Sequence, residues 1–89
     1  MARVTRDEAL RILSLASQVE MALVRRDAVA GPLLAQAARA AAGCEGGEHL
    51  AVAAELSRST NLASDYSARK VAQALTRLAV QEAQAAALS

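Results

Sequence analysis

The chain has 89 residues and a mass of 9.2 kDa, which is enough for one domain. Alanine supplies 24 residues, Leu, Ile, Val and Met together only 22, and Tyr66 is the single aromatic residue. A net charge of +1 argues against strong attraction to nucleic acid or anionic membranes, and one cysteine excludes an intrachain disulfide. No apolar run approaches the roughly 18 residues of a membrane span, and no signal-peptide pattern opens the chain. We therefore expect a cytoplasmic protein without membrane contact.

The composition also indicates the fold class. Alanine is the strongest helix former, whereas the β-branched and aromatic residues that strands favour are few. No segment alternates with the period of two that a half-buried strand requires. The sequence therefore predicts an all-α, compact bundle of about four helices in a single domain over residues 1–89. The nine arginines against one lysine are typical of a GC-rich genome, either bacterial or phage.

The first half of the chain predicts two helices. Thr5 and Glu8 have the spacing of a capping box, in which each residue satisfies a free amide of the other. The helix that begins there is expected to run to about Ala28. The Gly-Pro pair at 31–32 is expected to break it and to open a second helix over about 33–42.

The second half predicts two more helices. A glycine-rich loop at 43–47 precedes a helix over about 48–59, which Asn61 is expected to end in a left-handed conformation. Ser64 is expected to cap a last helix over about 65–87.

The first helix carries more apolar surface than a surface helix needs. One stripe contains Ile12, Leu15, Ala16, Val19, Ala22 and Leu23. A second stripe contains Leu10, Leu13, Met21 and Val24. A helix that is apolar on most of its circumference needs neighbours on two sides. Either this helix lies centrally among the other three, or a second copy or a larger protein covers the second stripe.

The last helix is more conventional. Its expected apolar face is Ala68, Val71, Ala72, Leu75, Leu78, Ala79 and Ala83. Its expected polar face is Arg69, Gln73, Thr76, Arg77, Gln81 and Gln84. Tyr66 and Val80 interrupt the polar face and are predicted to form a secondary protein contact. Glu82 interrupts the apolar face and is expected to pair with an arginine across a contact.

These patterns favour a function performed by surfaces. A core this small rarely contributes more than about 3–5 kcal/mol, so self-association is a simple source of further stability. We predict a protein–protein interaction or assembly module that contacts itself, a larger protein or both. The predicted interface is Leu10, Leu13, Met21, Val24, Tyr66 and Val80. We expect no enzyme activity, no catalytic residue and no cofactor.

The alternative is a DNA-binding module. Residues 53–62 look like the first helix and turn of a helix-turn-helix, with the last helix as the reading helix. Its phosphate contacts would be Arg58, Arg69, Lys70 and Arg77. In the compact motif an apolar anchor follows about five residues after Leu62, but Ser67 occupies that position, so a longer connection would be needed.

The string Tyr66-Ser67-Ala68-Arg69-Lys70 and its continuation Ala74-Leu75-Thr76-Arg77 resemble the Tyr-x-x-x-Lys helix of short-chain dehydrogenases. The resemblance implies a catalytic acid/base at Tyr66 and a ribose-binding residue at Lys70. That family also needs a parallel sheet, a glycine-rich dinucleotide turn and a serine about 13 residues before the tyrosine. The sequence predicts no strand, has no such turn and has Ala53 at the serine position, so we assign no dehydrogenase activity.

The glycine-rich loop contains the remaining candidate ligands. Cys44, Glu45, Glu48 and His49 are close in sequence, but zinc needs four ligands or three plus water, and no second cluster follows. We therefore expect no metal site.

Overall fold

The computed structural model describes residues 5–88, and over that range it contains four α-helices and no strand. The helices are α1 (Arg6–Val24), α2 (Ala30–Ala40), α3 (Gly47–Ser59) and α4 (Tyr66–Leu88). The prediction of an all-α bundle is confirmed. Residues 1–4 and 89 of the predicted domain lie outside the described residues.

The four helices form a closed ring. Within residues 5–88, α1 packs against α2 and α4, and α3 packs against the same two helices, while α1 and α3 do not pack against each other. Short connections between successive helices produce antiparallel neighbours. The radius of gyration of 12.0 Å equals the about 12 Å typical of a folded chain of this length. Since α1 lacks contact with α3, it is not surrounded by the other three helices.

The first helix begins as predicted and ends earlier. The Glu8 amide donates to Thr5 Oγ1 at 3.1 Å and the Thr5 amide donates to Glu8 Oε1 at 3.2 Å, which confirms the capping box. The predicted end near Ala28 is wrong, because Arg26 adopts a left-handed φ of +57°. The amides at 26 and 27 then bond to the carbonyls at 23 and 22, which is the Schellman pattern of a helix end.

The second helix begins before the Gly-Pro pair. It starts at Ala30, so the expectation that Gly31 and Pro32 separate two helices is wrong. Pro32 lies in the first turn, where its missing N–H would have had no acceptor within the helix. The carboxylate of Asp27 stabilises the turn that precedes α2, because its Oδ1 accepts a hydrogen bond from the Val29 amide at 3.0 Å.

The connection from α3 to α4 uses different capping residues from those predicted. Thr60, in an extended conformation, ends α3, and Asn61 is not left-handed. The side chain of Asn61 instead accepts the Ala63 amide at 3.0 Å. Asp65, and not Ser64, caps α4, because its Oδ1 accepts the Ala68 amide at 3.0 Å.

The core is built mainly from alanine. Among residues 5–88, twelve of the eighteen buried apolar residues are alanine, and the large ones that are fully buried are Val19, Leu23, Leu34 and Leu50. In the same part of the chain nine large apolar side chains are exposed: Leu10, Met21, Val24, Val29, Val52, Tyr66, Val71, Leu78 and Leu88. Small buried side chains let the helices approach closely. Because alanine fills most of the core, many of the large apolar side chains lie on the surface instead.

The buried face of α4 is rotated from the predicted one. Arg69 and Thr76 were placed on the polar face, but both are buried, whereas Val71 and Leu78 were placed inside and are exposed. Thr76 donates its hydroxyl to the Ala72 carbonyl at 2.7 Å, so its polar atom needs no water. A polar residue is compatible with the core when its polar atoms find hydrogen-bond partners within the protein.

Candidate functional site

The outer face of α1 is the most continuous apolar surface that the sequence predicted. Leu10 is 45% exposed, Met21 54% and Val24 72%, while Leu13 is half-buried and packs against the core. Of the four residues of the predicted stripe, three are therefore available to another chain and the fourth is partly available. We call Leu10, Leu13, Ser17, Met21 and Val24 the α1 stripe.

The orientation of α1 follows from its inner stripe. Ile12, Val19 and Leu23 are buried between α2 and α4. Because no described helix covers the opposite side, the α1 stripe faces outward.

Two shallow apolar depressions lie along the α1 stripe. One is lined by Ser17, Glu20, Met21, Val24 and Arg25. The other is lined by Arg6, Leu10, Leu13, Gln84, Ala87 and Leu88. The second depression joins the start of α1 to the end of α4, so these two helices run antiparallel and share one surface.

An ion pair fixes the border between α1 and α4. Arg77 Nη2 donates to Glu20 Oε2 at 3.2 Å. Glu20 would otherwise place an unpaired carboxylate beside Met21 and Val24. Pairing with Arg77 turns that charge toward α4 and leaves the stripe itself without a free charge at this position.

The two residues of the secondary contact predicted on α4 differ in exposure, and their role as a contact stays a prediction. Tyr66 is exposed and Val80 is half-buried. Fourteen residues separate them, which is about 21 Å along a helix. Tyr66 lies near its own helix cations, with Lys70 Nζ 5.4 Å and Arg69 Cζ 5.5 Å from the ring centre.

Sequence reasoning missed a second apolar surface on the other side of α4. Val52 of α3 and Val71 and Leu78 of α4 are exposed. His49 precedes Val52 by one helical turn and Glu82 follows Leu78 by one turn. Because His49 and Glu82 are in contact, these two helix faces lie side by side. Helical periodicity alone placed Val71 and Leu78 in the core, so no signal in the sequence would have found this surface.

The four basic residues of the DNA-binding alternative differ in burial and in the partners they have within the chain. Arg69 is only 6% exposed, and its Nη1 donates to the carbonyls of Leu62 and Ala63 at 3.1 Å, so the expectation that it lies on the outer face is wrong. Arg58 and Arg77 are exposed but form ion pairs with acidic side chains of the same chain. Lys70 is exposed and lies over the Tyr66 ring, as described above.

The geometry of α3 and α4 also differs from a helix-turn-helix. Helix-turn-helix pairs cross at about 90–120°. His49 lies about 15 Å along α3 from the connecting loop and Glu82 about 24 Å along α4. A perpendicular crossing would hold these residues far apart, yet Nε2 of His49 lies 3.0 Å from Oε1 of Glu82. The two helices therefore run antiparallel, side by side.

That same contact gives Glu82 a partner within its own chain. The carboxylate of Glu82 pairs with His49, and a pairing with an arginine across a contact stays a prediction. Cys44 is half-buried, and its thiol lies 3.9 Å from the Ala42 carbonyl. Over the described range, no three Cys, His, Asp or Glu side chains are grouped closely enough to hold a metal ion.

Comparison with protein-family models, with curated proteins and with solved structures found no match to this chain. Among the helices of residues 5–88, none is both long and apolar enough to span a bilayer.

Proposed function

We propose that the protein is a small helical assembly module that associates with a second copy of itself through the α1 stripe. The observation that carries this proposal is the distribution of apolar side chains: the core is mostly alanine, while Leu10, Met21 and Val24 face outward on one helix face. Contiguous apolar surface of this kind is typical of interaction sites, whereas scattered single residues need no explanation.

The dimensions of the bundle support a second copy as the partner. The largest face of the molecule is about 37 by 21 Å. That area is on the order of the 800 Å² per partner that a standard stable interface buries. A bundle of these dimensions is therefore large enough to form a specific dimer.

The strength of the association follows from the same surface. Full burial of a large aliphatic side chain contributes about 1.5–3 kcal/mol. Because Leu10 and Met21 are about half exposed in the single chain, each would gain about half of that contribution when a dimer forms. Six such side chains in a dimer contribute a total that is comparable to the association cost of about 4–15 kcal/mol. We therefore expect a weak, reversible dimer that forms toward millimolar concentration.

Paired substitutions test the proposal. Met21→Glu with Val24→Glu places two charges in the α1 stripe at positions that are mostly solvent-exposed, so the fold is retained. Val52→Glu with Val71→Glu is the matched control, because those side chains are 56% and 51% exposed but lie away from the stripe. Sedimentation equilibrium measures the mass and circular dichroism the helix content.

The expected result is that wild type and the control double variant dimerise, while the stripe double variant is a folded monomer. If the stripe double variant dimerises as tightly as wild type, the α1 stripe is not the interface and the proposal is wrong. If the stripe double variant unfolds, a single Val24→Glu variant, altered at the most exposed position of the stripe, decides the question by its own mass.

Salt dependence separates this function from DNA binding. Association through apolar burial holds or strengthens as salt rises, whereas binding through phosphate contacts weakens steeply. A monomeric chain that shifts a labelled DNA duplex at low salt, and releases it at higher salt, would contradict the proposal and support the alternative.

A further inference from the structure

The α1 stripe is nearly symmetric about its middle residue. Leu10 and Val24 each lie seven residues from Ser17, and Leu13 and Met21 each lie four residues from it. A stripe that reads the same in both directions is self-complementary when two helices meet antiparallel. A two-fold interface has this property, because residue i contacts residue j and residue j contacts residue i.

We propose that two copies pack α1 against α1 in antiparallel orientation, with the two-fold axis at Ser17. This inference depends on the self-association proposed above and specifies its geometry. Leu10 then lies opposite Val24 of the second copy, and Leu13 lies opposite Met21. The small side chains of the two Ser17 residues meet at the axis and let the helix backbones approach closely.

The charges that flank the stripe favour this orientation. Asp7 and Arg25 are 18 residues apart, which is five full turns, so they lie on the same flank of the helix. In an antiparallel pair, Asp7 of each copy meets Arg25 of the other. In a parallel two-fold pair this flank of one copy lies on the opposite side of the contact from the same flank of the other, so Asp7 and Arg25 do not pair.

The charges of the whole bundle are also unevenly distributed between its two ends, with acidic residues in excess at one end and basic residues in excess at the other. The described residues at the end where α1 and α3 begin include five acidic side chains and three basic ones. The acidic ones are Asp7, Glu8, Glu45, Glu48 and Glu82, and the basic ones are Arg6, Arg11 and Arg39.

The opposite end has the reverse excess, five basic and three acidic side chains, when the Glu20–Arg77 pair is counted as neutral. The basic ones are Arg25, Arg26, Arg58, Arg69 and Lys70, and the acidic ones are Asp27, Glu55 and Asp65. Antiparallel association places the acidic end of one copy beside the basic end of the other.

A charge-exchange experiment tests the orientation. Asp7→Lys and Arg25→Glu are each expected to weaken dimerisation, because each removes two symmetric ion pairs and introduces repulsion. For exposed pairs the dissociation constant should rise roughly 2- to 30-fold. The double variant should recover most of the wild-type value, since the exchanged charges again pair.

The recovery can arise only between chains. Within one chain the two residues are about 27 Å apart along α1, well beyond the distance of a salt-bridge contact. If the effects of the two substitutions simply add while wild type is a dimer, the antiparallel orientation is wrong and the self-association remains.

Cysteine cross-linking provides a second readout that does not depend on charge. In a Cys44→Ala background, a tagged Leu10→Cys chain is mixed with an untagged Val24→Cys chain and oxidised. The antiparallel pair predicts cross-links between the two variants, with Gln36→Cys on the exposed side of α2 as a control that does not cross-link. Predominant cross-links of each variant to itself would overturn the inference and indicate a parallel dimer. A monomeric mass for wild type would overturn the function as well.

Discussion

Arg69 holds the loop before α4 through the main chain of Leu62. Its Nη1 lies 3.1 Å from the Leu62 carbonyl oxygen and the same distance from that of Ala63. The guanidinium therefore acts as a bridge from the first turns of α4 back to the connection that precedes it. This role explains why a charged residue is buried among alanines.

Loss of this bridge is expected to destabilise the fold. Arg69→Met keeps much of the side-chain volume but leaves two carbonyls without their donor, at a cost of about 1–3 kcal/mol in the free energy of unfolding. Urea titration at one fixed chain concentration measures it. Arg77→Met is the matched control on the same helix, since an exposed ion pair contributes at most about 1 kcal/mol. Equal losses for the two variants would contradict the bridging role of Arg69.

Gly47 is required by a close approach between α3 and the end of α2. A Cβ at this position would overlap the main-chain carbonyl of Ala41, which cannot move as a side chain could. Gly47→Ala is therefore expected to lower the stability by about 1–3 kcal/mol or more, the usual range for overpacking.

Gly31 provides the control for that prediction. It lies inside α2 with open space around it, since the nearest atom to an added Cβ is Ser57 Oγ at 4.0 Å. Gly31→Ala is expected to change the stability only slightly, because the gain in helix propensity is offset by the contact of the new Cβ with the ring of Pro32. Thermal unfolding should therefore show a clearly larger loss for Gly47→Ala than for Gly31→Ala, and equal losses would refute the steric account.

Arg26 ends α1 at an energetic cost that glycine would remove. Its φ of +57° is in the left-handed region, which disfavours any residue with a Cβ by about 1–2 kcal/mol. Glycine also loses more freedom on folding, so Arg26→Gly should stabilise the protein by about 0.5–1 kcal/mol. Denaturant midpoints measure the change.

Ala42 is a suitable comparison for Arg26. It follows the C-cap of α2 as Arg26 follows that of α1, but its φ is not left-handed. Ala42→Gly should therefore destabilise slightly. A gain in stability at both positions would show that φ does not explain the effect at Arg26.

The sequence predicted those parts of the fold that depend on local pattern. The capping box at Thr5 and Glu8 is a reciprocal side-chain signal with a fixed spacing, and it correctly placed the start of α1. The outward position of Leu10, Met21 and Val24 followed from helical periodicity. Their role in an interface stays a prediction.

Other features depend on main-chain geometry that residue types do not reveal. Nothing in the identity of Arg26 marks a left-handed residue, so the end of α1 was placed too late. Arg69 and Thr76 are polar, yet nearby carbonyl groups satisfy them inside the core. Their burial rotated α4 and exposed Val71 and Leu78, which a count of apolar positions cannot show.

The molar mass of the wild-type chain, measured by sedimentation equilibrium from low micromolar to millimolar concentration, tests the central claim most directly. The account predicts a rise from 9.2 kDa toward twice that value across this range, with the rise maintained in high salt. A mass of 9.2 kDa at every concentration would contradict it, because the α1 stripe would then remain exposed to water without a partner copy.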